Sequence, residues 1–358
     1  MVMLLQIISQ LQGASTSHPF FSRLWHEILF GYTGAFLAGF LLTAVRNWTG
    51  VSEPKEKMLV FLLILWLLAR ILPYIPGQAP IFLAAAAELT FFAVLTALIA
   101  GSLIQTRSRN SYVVIELLII FMAGNVLTHW AQLGWWIESG TTGLRLSLYS
   151  AIAMLIILSG RVLPFTIQKT LQIERPPTPN GQLMETTALL AIYVLMILET
   201  LTSVNWLAGL ISLLVAIGLG ARISSYYHPD IRHHPLLWIE FSGLLWIAMG
   251  FVIHAAAAMA LLSNDAGLPA LLAGGIGIMS VGMMVRVIQG HTGNTLQDNT
   301  DVTAAFYLLN IGTLALVAGV VAPADIEQSL TLISKLCWLF GFAFLLKACG
   351  PLLLMPPR

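Results

Sequence analysis

Eleven stretches of mostly apolar residues, each about the ~20 residues that cross a bilayer, constrain this chain more than any other feature. They lie near 27–48, 58–75, 79–104, 111–133, 141–163, 183–203, 205–222, 236–258, 268–289, 300–321 and 328–347. In lipid every backbone N–H and C=O must find its partner within the protein, and a helix does this inside one segment. The breaks between the stretches are turn chemistry and charge: Glu53–Lys57, Arg107–Arg109, Arg175–Gly181 and Tyr227–Pro235. Residues 1–25 are too short and too polar to span, and they lack the basic start and small-residue cleavage site of a signal peptide. The sequence therefore predicts an all-α, polytopic transmembrane helix bundle of about 11 spans. A surface segment over 1–25 precedes a transmembrane domain over 26–354.

Composition closes off the other classes. Charged residues make up 9% of the chain and hydrophobic ones 58%, against about 25% charged in a soluble domain. Too little polar surface exists to cover a water-soluble fold, so the lipid bilayer is the main partner. A net charge of +1 gives no basic stripe for nucleic acid. Cys337 and Cys349 have no CxxC spacing and frame no disulfide scaffold. The GxxxxGK[ST] and HExxH signatures are missing.

Charge orients the bundle. With eleven spans, one face collects thirteen of the 17 basic residues, among them Lys55, Lys57, Arg107, Arg109, Lys169 and Arg175. The other face takes Arg23 and Arg70, while Arg145 and Lys335 fall inside spans. The positive-inside rule makes the rich face cytoplasmic. The N-terminus is then periplasmic and the C-terminus cytoplasmic.

Ionisable residues at membrane depth are costly and so mark function by default. On this topology His26, Glu27, Glu88, His129, Arg145, Glu199, His254 and Lys335 all fall in the outer half, where they could line one cavity. Glu116, Glu185 and Glu240 fall near inner ends, where snorkelling makes them cheap. Each histidine also has a plain reading, as a hydrogen-bonded bundle or interfacial residue. Glu88 could pair structurally with Arg145 or Lys335. Met279 and Met283 share a helix face that could suit Cu(I), although gap-filling is the commoner role of Met. His228, Asp230, His233 and His234 have the look of a metal cluster, yet they lie in a loop between prolines.

Particular strings carry a family resemblance. His26-Glu-Ile-Leu-Phe-Gly31 leads to Thr43-Ala-Val-Arg-Asn-Trp-Thr-Gly50, and Asn125-Val-Leu-Thr-His129 follows. Then come Gly143-Leu-Arg-Leu146, Gly160-Arg-Val-Leu-Pro-Phe-Thr166, His234-Pro-Leu-Leu-Trp238 and Gly274–Met279. Met284-Val-Arg-Val-Ile-Gln-Gly-His-Thr-Gly293 and Trp338–Phe342 with Gly350-Pro351 complete the series. In this order they resemble the NnrS family, multi-pass bacterial membrane proteins associated with the nitric oxide response and described as binding haem and copper. The resemblance covers residues 18–354 and implies a multi-pass protein of the bacterial inner membrane.

It departs from the family where histidines are concerned. Leu24, Phe241 and Pro269 stand at places where members carry histidine, and typical members have one further N-terminal helix. The resemblance then leaves His26, His129 and His254 as metal ligands, with His26, His129 and Arg145 as haem-binding residues, the arginine facing a propionate. Haem is expected ahead of copper, which wants more donors than remain. Glu27, Glu88, Asn125, Arg161, Arg286 and His291 are further candidates. The function so implied is a nitrosative-stress protein meeting nitric oxide at membrane depth, with no catalytic residue assigned. The alternative is a proton-coupled or small-molecule transporter using the outer-half carboxylates.

Overall fold

A computed structural model describes residues 25–51, 54–107, 111–173, 179–201, 204–293 and 299–354. The expected surface segment over 1–25 lies outside the described residues apart from Trp25, and so does Leu24. Among the described residues there is no strand, and each expected span is met by a helix. Helix α1 opens as a π-helix over Glu27–Thr33 and continues over Gly34–Thr49. It is followed by α2 (Glu56–Ile71), α3 (Gln78–Gln105), α4 (Tyr112–Gln132), α5 (Ser139–Leu171) and α6 (Pro179–Leu201). Next come α7 (Asn205–Tyr226), α8 (Pro235–Ala258) and α9, a π-helix over Ala270–Ile278 continuing over Met279–Thr292. Helices α10 (Thr300–Gly319) and α11 (Ala324–Leu354) close the chain. Ten of these are long and apolar enough to cross a membrane. Helix α6, of 23 residues, falls on the remaining expected stretch.

Two helices overrun the sequence expectation. α5 runs on through Pro164 and α11 through Pro351. Proline removes one amide donor and crowds the preceding turn, which kinks a helix without having to end it. At 1.5 Å per residue the 33 residues of α5 reach about 50 Å, beyond the ~30 Å hydrocarbon core.

The described residues form two compact units, one up to Met154 and one from Leu155. No sequence signal marks that boundary, because it falls inside α5. In the first unit α3 packs on α1, α2 and α4. Its centre is aromatic: Phe30, Phe92 and Phe121 meet edge to face at 5.2–6.2 Å. In the second unit α7 packs on α6 and α8, and α9 packs on α8, α10 and α11. There Ile239, Ile278, Val281, Phe306, Leu309 and Trp338 form the core.

α1 and α9 are built alike. The same stretch of sequence separates His26 from Gly50 and Pro269 from Gly293, and both spans open as π-helices. Gly31, Gly34 and Gly39 stand in step with Gly274, Gly277 and Gly282. Both helices end on a left-handed glycine, Gly50 at φ 71° and Gly293 at φ 68°, which a side chain would strain. Before each, a threonine donates back to its own helix, Thr49 to Val45 O and Thr292 to Ile288 O. Gly34 makes room for Phe92 of α3, and Gly277 for Trp338 of α11. On this plan Pro269 holds the place of His26.

Candidate metal centre

Four helices of the first unit bring ionisable side chains to one buried point. His26 precedes the π-turns of α1, Arg70 ends α2, Glu88 lies on α3, and Asn125 and His129 lie one turn apart on α4. Glu88 is 2% exposed, His129 5% and His26 6%. His129 Nε2 stands 2.8 Å from Glu88 Oε2, and His26 Nε2 stands 3.2 Å from the same oxygen. Asn125 Nδ2 donates to that oxygen at 3.1 Å. Arg70 takes the other oxygen, Oε1, with Nη2, and its Nη1 donates to Glu27 Oε2 at 2.8 Å.

The π-opening of α1 shapes this corner. A π-turn carries one residue more than an α-turn and is common at functional sites. Trp66 Nε1 donates to Gly31 O at 2.9 Å, and Thr33 Oγ1 to Ile28 O at 2.8 Å. Gly31 leaves the space that Arg70 fills, since a Cβ there would come 2.7 Å from Arg70 Nη1 and 3.0 Å from Glu27 Oε2. Close crossing of α4 and α5 at Gly124 and Gly143 fixes α4 against its neighbour.

His26, Glu88 and His129 each offer one donor atom, and these atoms all lie within 4.8 Å of one another. Ligands about 2.0–2.1 Å from one tetrahedral ion lie roughly 3.3 Å apart, close to the 2.8 and 3.2 Å found here. His129 Nδ1 lies 3.2 Å from Gln132 Oε1; with the ring proton on Nδ1, the Nε2 lone pair would face Glu88. Two acceptors this close need a cation or a proton between them. Two imidazoles and a carboxylate fit one transition-metal ion.

They do not fit haem between His26 and His129. Axial ligands stand on opposite faces of a macrocycle. These rings instead meet edge to face, with centroids 5.2 Å apart, over a shared carboxylate oxygen. Phe30 closes the other side, 4.8 Å from the His26 ring. As placed here, the two rings do not flank a macrocycle.

The other expected residues fall elsewhere. Glu27 and Asn125 join the centre, while Arg145 lies half-buried on α5. The cation on Glu88 is Arg70, in place of the expected Arg145 or Lys335. His254 belongs to the second unit, with its Nε2 2.8 Å from Glu199 Oε1. Of the groups expected in the outer half, His26, Glu27, Glu88 and His129 meet in the first unit, and Glu199 pairs with His254 in the second. Glu240 does not snorkel: it is 0% exposed, and Arg286 Nη2 lies 3.0 Å from its Oε1. Arg286 also donates to Thr166 and to the Leu236 carbonyl, so it ties α5, α8 and α9 together. Arg161 is half-buried beside Gly160, against which Glu185 packs. His291 is exposed in the last turn of α9. Met279 and Met283 are fully buried core residues. In the loop before α8, His228 pairs with Asp230 at 3.4 Å, and Arg232 donates to His233. Sequence reasoning missed Arg70, whose position near a span end made it look like one more interfacial charge.

A bundle of helices long and apolar enough to cross a membrane, enclosing a carboxylate and two histidines, defines a multi-pass membrane protein with a buried candidate metal centre. The NnrS family model, described as NnrS protein, matches residues 1–357. The chain belongs to the NnrS family. No curated protein and no solved structure matches it.

Proposed function

We propose that this chain is a bacterial inner-membrane protein of the nitric oxide response that holds a metal ion, copper foremost, at His26, Glu88 and His129. The observation that carries the reading is three buried donor atoms within 4.8 Å of one another. Among divalent first-row ions Cu2+ binds nitrogen and oxygen donors most tightly, which favours copper. Membership of the NnrS family supports nitric oxide as the ligand. An apolar diatomic partitions into the bilayer and needs no dedicated channel to meet a centre at membrane depth. The excess of basic loop residues on one face supports a periplasmic N-terminus and a cytoplasmic C-terminus.

The protein's own groups have separable tasks. Arg70 and Asn125 hold the Glu88 carboxylate so that Oε2 faces both histidines. Glu27 in turn holds Arg70. Phe30, Phe92 and Phe121 form a dry wall under the histidines, which strengthens every charge interaction above it. A bound copper ion would supply an open coordination position for a diatomic ligand. Haem has no part in this reading of the pair.

Transport through Glu88 as a mobile proton carrier is the weaker reading, because Arg70 and Asn125 fix that carboxylate. The test is complementation. Cells lacking this gene regain growth under a nitric oxide donor when given the wild-type chain, and fail to regain it with His129→Ala at equal membrane abundance. Equal protection by both chains would overturn the reading.

A further inference from the structure

The charges joined at the candidate centre do not cancel. Glu27 and Glu88 each bring one negative charge, and Arg70 brings one positive charge between them. With both imidazoles neutral, one net negative charge is left over. Little water reaches it: Glu88, His26 and His129 are buried, and the side chains of Arg70 and Glu27 are only 12% and 17% exposed. Net charge held away from water is costly, so the favoured occupant is the one that brings the sum to zero. A monovalent ion does this, whereas a divalent ion leaves one positive charge behind.

The donor count points the same way. Arg70 Nη2 takes Glu88 Oε1, so the carboxylate has only Oε2 to offer an ion. Asn125 reaches that oxygen through an N–H, which is no ligand. His26 and His129 add one nitrogen each. The phenyl rings of Phe30, Phe92 and Phe121 wall one side and supply no further donor. Two nitrogens and one oxygen suit monovalent copper, whose filled d shell accepts low coordination numbers. Divalent copper prefers a tetragonal set of ligands, so it fits the same three donors at lower affinity. A three-coordinate ion also keeps a vacant position for a diatomic ligand.

We propose that Arg70, set between Glu27 and Glu88, fixes the charge of the centre and thereby selects copper in its monovalent state. The inference rests on the copper reading above and adds the oxidation state to it. Arg70 and Glu27 do not ligate the ion; they act through the field at the three donors, and their effects have opposite signs. Loss of the guanidinium charge makes the centre more negative and favours Cu(II), while loss of the Glu27 charge makes it less negative and favours Cu(I). A merely structural task, holding Glu88 in place, is disturbed in the same direction by both.

The test is the reduction potential of copper bound to the full-length protein in detergent. The Cu(II) signal is followed while redox mediators supply or remove the single electron, and affinities for Cu(I) and Cu(II) are measured against chelators of known strength. Wild type is expected to bind Cu(I) about tenfold or more tightly than Cu(II). Glu27→Gln is expected to move that ratio further toward Cu(I) and raise the potential. Arg70→Gln is expected to move it toward Cu(II) and lower the potential, each shift being about tenfold or more, and Arg70→Lys to restore the wild-type value. Wild type that binds Cu(II) at least as tightly as Cu(I) would overturn the proposal. So would Gln variants that shift the potential in the same direction, or an Arg70→Lys potential equal to that of Arg70→Gln. Should Arg70→Gln fail to fold, Glu27→Gln decides alone, and an unchanged or lowered potential overturns the proposal. Failure of the copper reading itself would appear as copper binding, in either oxidation state, that His129→Ala leaves unchanged.

Discussion

His129 Nε2 lies 2.8 Å from Glu88 Oε2, and the two residues belong to different helices of one buried unit. A hydrogen-bonded histidine alone would be ordinary. A second imidazole on the same carboxylate oxygen, with arginine and asparagine steering that carboxylate, is an arrangement that could hold an ion.

Arg70 bridges two acids, so its removal strands both of them. Arg70→Leu is expected to cost more stability than Glu27→Gln, because breaking a buried pair leaves an uncompensated charge worth roughly 3–5 kcal/mol. Thermal unfolding of the two purified variants ranks them. Equal melting temperatures would show that Arg70 does not carry the network.

Gly31→Ala puts a methyl where the guanidinium of Arg70 lies, 2.7 Å from Nη1. Copper affinity at the centre is expected to fall by about 10–100-fold, the usual effect of disturbing the groups that orient metal ligands. A competition titration against a chelator of known affinity reads this directly. Unchanged affinity would mean that Arg70 does not position Glu88.

Much of the architecture was legible in the sequence and the chemistry only partly so. Spans are read well because each must carry about twenty apolar residues regardless of its neighbours. His129 was legible as an ionisable residue within a span and Asn125 through the family resemblance, and both do meet Glu88. The meeting of His26 with Glu88 was not legible, since helix order in a bundle leaves no trace in hydropathy. Arg70 was hidden for a related reason: at a span end a charge reads as interfacial, and only packing shows it turned inward on two carboxylates. The length of α5 was not legible, since its helix runs on past the apolar stretch and through Pro164.

Glu240 and Arg286 form a buried pair with a different task. Arg286→Gln is expected to lower the melting temperature, because it leaves the fully buried Glu240 without its cation and frees Thr166 from α9. The number of bound copper ions should not change. Loss of copper together with stability would tie this pair to the centre and contradict the division of roles.

Gly124→Ala should disturb the centre from a distance. Its methyl would run into Gly143 O and Ser147 of α5, and overpacking of this kind costs about 1–3 kcal/mol. Since Asn125 and His129 follow directly on α4, copper affinity should fall together with stability. A variant that melts lower yet binds copper normally would show that α4 yields without moving its donors.

The central claim is that His26, Glu88 and His129 share one metal ion. The most direct measurement is electron paramagnetic resonance of the copper(II)-loaded full-length protein. The account predicts nitrogen couplings from two imidazoles, reduced to one imidazole in His26→Ala or in His129→Ala. A spectrum that neither substitution alters would place the copper elsewhere and contradict the claim.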